Sequence, residues 1–265
     1  MAGTRYANMW VSLPLFHLTL DRKLHQSPLS RTAKSVLDIA TGDPTWVHAF
    51  AETNPSISTV ANDPNPTMNA IPPGINIIAD TSDANVAWTY SQQFDFIHCR
   101  QHHRRLDEQR LFKQAFEQLS NPVTTSSPLS LPATNPLAKW GSLLIEASQK
   151  VNRPVDNPTK YETWMREAGF VNCQTVVYQW PTNPWPDDEK GKLMGLWNLF
   201  NVLQRFEEFS MGLLVRVLGW EGEDARGFLE EVKRELGDGG VHALWPVYVV
   251  YGQKPVVEAT ESKQD

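Results

Sequence analysis

Asp38, Ala40 and Gly42 stand at alternate positions where an apolar run, Val36-Leu-Asp-Ile-Ala40, gives way to the turn Thr41-Gly42. An acidic residue inside a strand, followed by small residues and a helix, is the arrangement of a nucleotide-type site. Small residues let the backbone approach a ligand, and the helix start offers free N–H groups. The full loop would read Asp-x-Gly-x-Gly-x-Gly. Here the four positions are Asp38, Ala40, Gly42 and Pro44, so only the central glycine is present. An ordinary strand–turn–helix corner has the same appearance. Asp63 follows about 20 residues beyond the turn, where an acidic side chain accepts hydrogen bonds from ribose hydroxyls. Asp63-Pro64 equally suits a helix start. Asp80, Ser82 and Asp83 form a third polar cluster, suited to an adenine amino group or to a solvated turn.

The segment Phe96-Ile-His-Cys-Arg-Gln-His-His103 is rich in metal-ligating types. No neighbouring cysteine or carboxylate spacing matches a zinc pattern, so no metal is expected. His98 follows the strand pattern and reads as a core residue. His102 is a candidate general base. Trp180-Pro-Thr-Asn-Pro-Trp-Pro186 reads either as the wall of an apolar pocket or as a packed loop. Cys99 and Cys173 are expected to be buried and inert.

These residues need a scaffold, and the apolar patterning supplies one. Buried-type strands are expected at 36–40, 57–61, 75–80, 94–99, 141–147, 171–178 and 247–251. Helices are expected at 45–53, 106–119, 161–168, 189–217 and 223–236. The alternation implies an α/β fold with a doubly wound, mostly parallel sheet, whose ligands sit at the carboxyl ends of the strands. The Ser/Thr/Pro-rich stretch 121–136 interrupts the step into the expected fifth strand and reads as a disordered insert loop. A single domain over 1–258 and a flexible tail at 259–265 complete the reading.

Composition excludes several classes. With 41% apolar and 20% charged residues the 265-residue chain can build a core and is not disordered as a whole. A net charge of −6 gives no basic field for nucleic acid. No run is long and apolar enough for a membrane span, and the start lacks an ordinary signal peptide. Two cysteines make no disulfide framework. The chain therefore reads as intracellular and cytoplasmic, with the nucleus as the alternative.

Taken together, the motifs resemble the fungal LaeA-like (UMTA) family of class I S-adenosylmethionine-dependent methyltransferases. The resemblance rests on Lys23-Leu-His25, Val36 to Gly42 with Trp46, Asp63, Ser82-Asp-Ala84 with Trp88-Thr89, and Phe94 to Arg100. Its most specific part is C-terminal: Glu167-Ala-Gly-Phe170, Trp185-Pro186, Lys192 to Trp197, Arg216 to Trp220, His242, and Trp245 to Gly252 with Lys254-Pro255. It implies a Rossmann-like seven-stranded sheet with the last strand antiparallel, and S-adenosyl-L-methionine as cofactor. By that likeness Asp38, Ala40 and Gly42 belong to the cofactor site, Ala40 and Gly42 approaching the methionine part. Asp63 would hold the ribose, and Ser82 and Asp83 would meet the adenine. Arg100 would lie beside the transferred methyl.

Three departures stand out: Asp43-Pro44 in the loop, the insert at 121–136, and a short segment after Ile145-Glu-Ala147 where relatives place substrate-covering helices. Asp43 and Pro44 are expected to weaken cofactor binding, since proline removes a donor N–H. The resemblance implies methylation of a small-molecule intermediate of fungal secondary metabolism. A non-methylating cyclase or pericyclase on the same fold, and a LaeA-like non-enzymatic regulator with a protein partner, are the two rivals.

Overall fold

Val36, Leu37, Asp38 and Ile39 are all buried, as a strand must be when helices cover both faces of its sheet. They form β1 (Ser35–Ile39), set between β2 (Ser58–Asn62) and β4 (Phe96–Cys99). The computed structural model describes residues 12–42, 44–64, 74–100, 106–119, 123–125 and 135–255. β3 (Ile77–Asp80) pairs outside β2, and β5 (Val123–Thr125) outside β4; every one of these pairings is parallel. β7 (Leu244–Gln253) runs antiparallel to β5 and to the edge strand β6 (Val171–Pro181). The order is β3-β2-β1-β4-β5-β7-β6, the doubly wound, mostly parallel sheet expected.

On one face, α2 (Thr45–Thr53) buries Trp46, Val47, Phe50 and Ala51. These pack on Val36, Ala61 and Phe96. On the other, α3 (Glu108–Gln118) and α5 (Tyr161–Glu167) cover Leu37, Ile39 and Ile97 through Leu111, Phe112, Ala115, Tyr161 and Met165. A helical layer made by α4 (Pro136–Lys150), α7 (Phe206–Arg216) and α8 (Gly222–Gly237) has its own core of Leu137, Trp140, Leu144, Leu214, Leu229 and Val232. The remaining helices, α1 (Ser12–Thr19) and α6 (Glu189–Leu203), pack on each other around Leu15, Phe16, Trp180 and Met194.

Three expectations are corrected. Residues 141–147 are not the fifth strand but part of α4. Its buried Leu137, Trp140, Gly141, Leu144, Ala147 and Ser148 follow helical spacing over a longer window than the apolar run Leu143-Leu-Ile145 suggests. Asn135 accepts the Leu137 N–H at 2.7 Å, and Pro136 opens the helix. The stretch 121–136 is therefore not all loop: it carries β5 and the start of α4, while 120–122 and 126–134 lie outside the described residues. The shortening after Ala147 does not remove the helical layer, because α4 itself supplies a wall of it. Finally, the single helix expected over 189–217 breaks at Gln204-Arg205. Phe206 turns inward there and packs 5.2 Å from Trp140.

Of the Trp180–Pro186 segment, Trp180 and Pro181 end β6, and the rest proves to be a packed loop. Asn183 donates from Nδ2 to the Asp238 and Val241 carbonyls at 2.9 and 3.1 Å, and Trp185 Nε1 donates to Ala243 O at 3.0 Å. Gly195 of α6 lies directly against it: a Cβ there would sit 2.0 Å from Asn183 O. Gly195→Ala is expected to cost about 1–3 kcal/mol of stability, measured by urea unfolding, because the pinned carbonyl cannot retreat.

Candidate functional site

The β1–β2 ladder carries on past the end of β1. Thr41 N–H donates to Asn62 O at 2.9 Å, and Thr41 Oγ1 donates to Asp38 O at 3.1 Å. The chain then turns with Ala40 at φ +51° and Gly42 at φ +53°. Left-handed φ costs glycine little, whereas Ala40 is held there by its surroundings. Gly42 N–H donates to Asp63 Oδ2 at 2.8 Å. The turn is thus tied across to the end of β2, and Ala40, Gly42 and Asp63 come together. The Asp63 side chain faces the turn, and residues 65–73, where a helix start would fall, lie outside the described residues. Pro44 brings no capping side chain to α2, although its carbonyl accepts the His48 N–H at 3.0 Å. Asp43 lies outside the described residues.

Beside Asp63, Asp80 and Ser82 of the third polar cluster join a hydrogen-bonded network, while Ser82 and Asp83 remain exposed. Asn62 Nδ2 donates to Asp80 Oδ2 at 2.8 Å and to Ser82 O and Oγ at 3.0 and 3.1 Å. The Ser82 N–H and hydroxyl both donate to Asp80, each at 2.9 Å, and the Tyr90 hydroxyl donates to Asp80 as well. Burial pushes the Asp80 carboxyl up, but these donors outweigh it and hold it below the usual range. Burial, then the bond to Asp80, pushes the Tyr90 phenol well above its ordinary value. Asp83 accepts the Asn85 N–H at 2.9 Å and shapes the turn after Ser82. Asn62 Oδ1 is buried and accepts no hydrogen bond among the described residues. Asn62 and Tyr90 were not singled out in the sequence. Asn62 adjoins Asp63 at the strand end and was the more discoverable of the two.

Asp38 lies one layer deeper. It is buried, and its Oδ1 is 2.7 Å from His98 Nδ1. Burial lowers the His98 pKa more than Asp38 raises it, so the ring is neutral and its Nδ1–H donates to Asp38. The imidazole stacks flat on Trp46, with centroids 3.6 Å apart, and Trp46 Nε1 donates to Leu24 O at 2.7 Å. His98 is the core residue the strand pattern implied. Cys99 and Cys173 are buried, and burial pushes both thiols up. Among the described residues no three His, Cys, Asp or Glu side chains are grouped to hold a metal ion. His102 and His103 lie outside the described residues.

Arg100 leaves the carboxyl end of β4 and sets its guanidinium 5.0 Å from the centroid of Phe16, a cation–π contact that anchors α1 over the strand ends. The neighbouring His17 has a buried Nε2 without a hydrogen-bond partner among the described residues. Burial, followed by Arg100 and Arg22, lowers its pKa.

Comparison with known proteins places this arrangement. A family model described as a methyltransferase domain matches residues 15–175. The chain is 67% identical to the probable methyltransferase tdiE of Emericella nidulans, over 93% of this chain and 81% of that one. This chain belongs to the methyltransferase-domain family. The methyltransferase pytC of Aspergillus terreus is 29% identical, over 91% of this chain and 78% of its own length. The secondary metabolism regulator laeA of Gibberella zeae is 24% identical over 92% and 84%. The resemblance to fungal LaeA-like class I methyltransferases is therefore correct. Among solved structures, a Haemonchus contortus phosphoethanolamine N-methyltransferase in complex with S-adenosyl-L-methionine superposes with a TM-score of 0.51 at 16% identity. It covers 93% of this chain and 53% of that one. The [4+2]-cyclase SpnF also scores 0.51 at 13% identity, over 92% and 81%. Both share the fold.

The methyltransferase family implies S-adenosylmethionine as cofactor, and the residues present fit it. The turn at Ala40 and Gly42 leaves the backbone unobstructed by long side chains. Asp63 brings a carboxylate, and Asn62 Oδ1 is a buried acceptor in need of a donor.

Proposed function

We propose that this chain binds S-adenosylmethionine at the carboxyl ends of β1, β2 and β3 and methylates a small-molecule intermediate of fungal secondary metabolism. The observation that carries the reading is the meeting of the Ala40–Gly42 turn with Asp63 through the Gly42 N–H bond. Bound there, the cofactor supplies an electrophilic methyl group. Asp63 accepts from the ribose hydroxyls, the Ala40–Gly42 backbone receives the methionine part, and Ser82 and Asp83 meet the adenine. Asp38 acts from below, holding β1 and its turn through His98 and the Thr41 bond. Arg100 and α1 face the acceptor side, where alignment of the acceptor with the methyl supplies much of the catalysis. The pytC and laeA relatives support the metabolic setting by what they are called. No described helix is long and apolar enough to cross a membrane.

Isothermal calorimetry with S-adenosylmethionine and S-adenosylhomocysteine tests the reading. Saturable binding is expected, and no heat at millimolar ligand overturns it. Binding without methyl transfer to any pathway intermediate points to the cyclase rival instead. The same assay examines the loop. Pro44→Gly restores a donor N–H at the start of α2 and is expected to tighten binding a few-fold, in line with about 0.3–1 kcal/mol for an anion at a helix start.

A further inference from the structure

Asn62 closes β2 with its amide turned toward β3, and it is 1% exposed. Its Nδ2 donates to Asp80 Oδ2, Ser82 O and Ser82 Oγ, and Asp80 stands opposite it in register. An ionised carboxylate and a backbone carbonyl only accept, so this end of the amide is the NH₂. The carbonyl end is thereby fixed in the other direction. Its Oδ1 is buried and accepts no hydrogen bond among the described residues. A buried acceptor left unpaired is costly, which points to a donor brought by a ligand.

The order of the strands says which donor. On the cofactor reading above, on which this inference rests, the methionine part lies at the Ala40–Gly42 turn of β1 and the ribose at Asp63. β3 is the next strand outward. The base, joined to the far side of the ribose, continues toward Asn62, Asp80 and Ser82. Adenine attached through N9 carries a single donor group, its 6-amino group. The Ser82 N–H and hydroxyl are committed to Asp80, and Asp83 Oδ1 accepts from the Asn85 backbone and side chain. Asp83 is also exposed, so water replaces a lost contact there at little cost. A buried acceptor discriminates more sharply, because a ligand without the donor leaves it unpaired.

We propose that Asn62 Oδ1 receives the 6-amino group of the adenine and makes the site selective for an adenine nucleoside. Asp80 is its positioning residue: the carboxylate holds the NH₂ end of the amide and so keeps the acceptor end toward the base. Calorimetry with two ligands tests this, S-adenosylhomocysteine and its 6-deamino analogue, in which hydrogen replaces the amino group. The wild-type chain is expected to bind the analogue about 30-fold more weakly, as for a lost hydrogen bond whose buried partner stays unpaired. Asn62→Ala is expected to bind both ligands alike, near the wild-type affinity for the analogue. Asn62→Ser, whose hydroxyl is too short to reach the base, is expected to show the same collapse of the ratio and stands in if the alanine variant does not fold. A merely structural role for Asn62 weakens both ligands together and preserves the ratio. Equal wild-type affinities overturn the proposal, as does a ratio that survives in the variants. Either result leaves the cofactor reading standing, whereas no heat from either ligand with the wild-type chain overturns both.

Discussion

Replacing Asp63 with alanine is expected to weaken S-adenosylhomocysteine binding about 100-fold while leaving the sheet intact. The carboxylate serves two ends. Its Oδ2 accepts the Gly42 N–H at 2.8 Å, which fixes the turn against β2. In the proposed site the carboxylate would also accept a ribose hydroxyl. Hydrogen bonds to a charged group are worth about 1.5–3 kcal/mol each, so losing the ribose contact and loosening the turn together amount to about 3 kcal/mol. Asp63→Asn keeps one acceptor oxygen but brings an NH₂ that cannot accept, and its loss should fall between wild type and alanine. Calorimetry reads the affinity, and circular dichroism checks the fold. An unchanged Kd for Asp63→Ala would falsify the ribose assignment. β2 is held by ladders on both sides, to β1 and to β3, so global unfolding is not expected from this change.

The second large effect lies beneath the site. His98→Ala is expected to destabilise the protein by about 3–5 kcal/mol, because it leaves the Asp38 carboxylate buried without its partner. It also removes the ring on which Trp46 stacks. The pair makes stability depend on pH in a definite direction. Burial lowers the folded-state pKa of His98, so the native ring stays neutral where the unfolded chain takes up a proton. The unfolded state then binds more protons, and stability falls as pH drops below about 6.5. The contribution is complete above that pH and declines until the folded-state pKa is reached, with a slope approaching about 1.4 kcal/mol per pH unit from this one site. His25, also lowered by burial, acts in the same sense. Urea unfolding from pH 7.5 down to 5 reads the slope. A slope as steep in His98→Ala as in wild type would remove His98 as its source.

The parallel half of the sheet was largely legible. β1, β2, β4 and α2 stand within a residue or two of their expected places, because buried apolar runs and a helical stripe at Trp46, Val47, Phe50 and Ala51 leave little ambiguity. The place of Asp63 near the turn was legible from its distance along the chain. α4 was not, since Leu143-Leu-Ile145 looks the same in a strand as on a buried helix, and only Leu137, Trp140 and Ala147 resolve it. β5 was hidden for a different reason. Val123-Thr-Thr125 is three residues long, inside a segment whose prolines and serines dominate any window. The partner of Asp38 was not legible: its position in the strand gave its proximity to the turn, but not the imidazole registered opposite it on the adjacent strand β4. Tyr90 left no trace at all, because its hydroxyl reaches Asp80 through the path of a loop and not through any periodicity.

The shortness of β5 has a consequence of its own. Among the described residues it shares two registered pairs with β4, Ile97↔Val123 and His98↔Thr124, and three with β7, whereas β6 and β7 are paired along almost their full length. The sheet thus has a seam. On one side lies the parallel half with β1, β2 and β3, on the other a long hairpin carrying the helical layer. β5 and β7 lie far apart in the chain, so closing their pairing requires a long loop for three registered pairs among the described residues. It should form late in folding and open first in the native protein. Each half can then breathe as a unit.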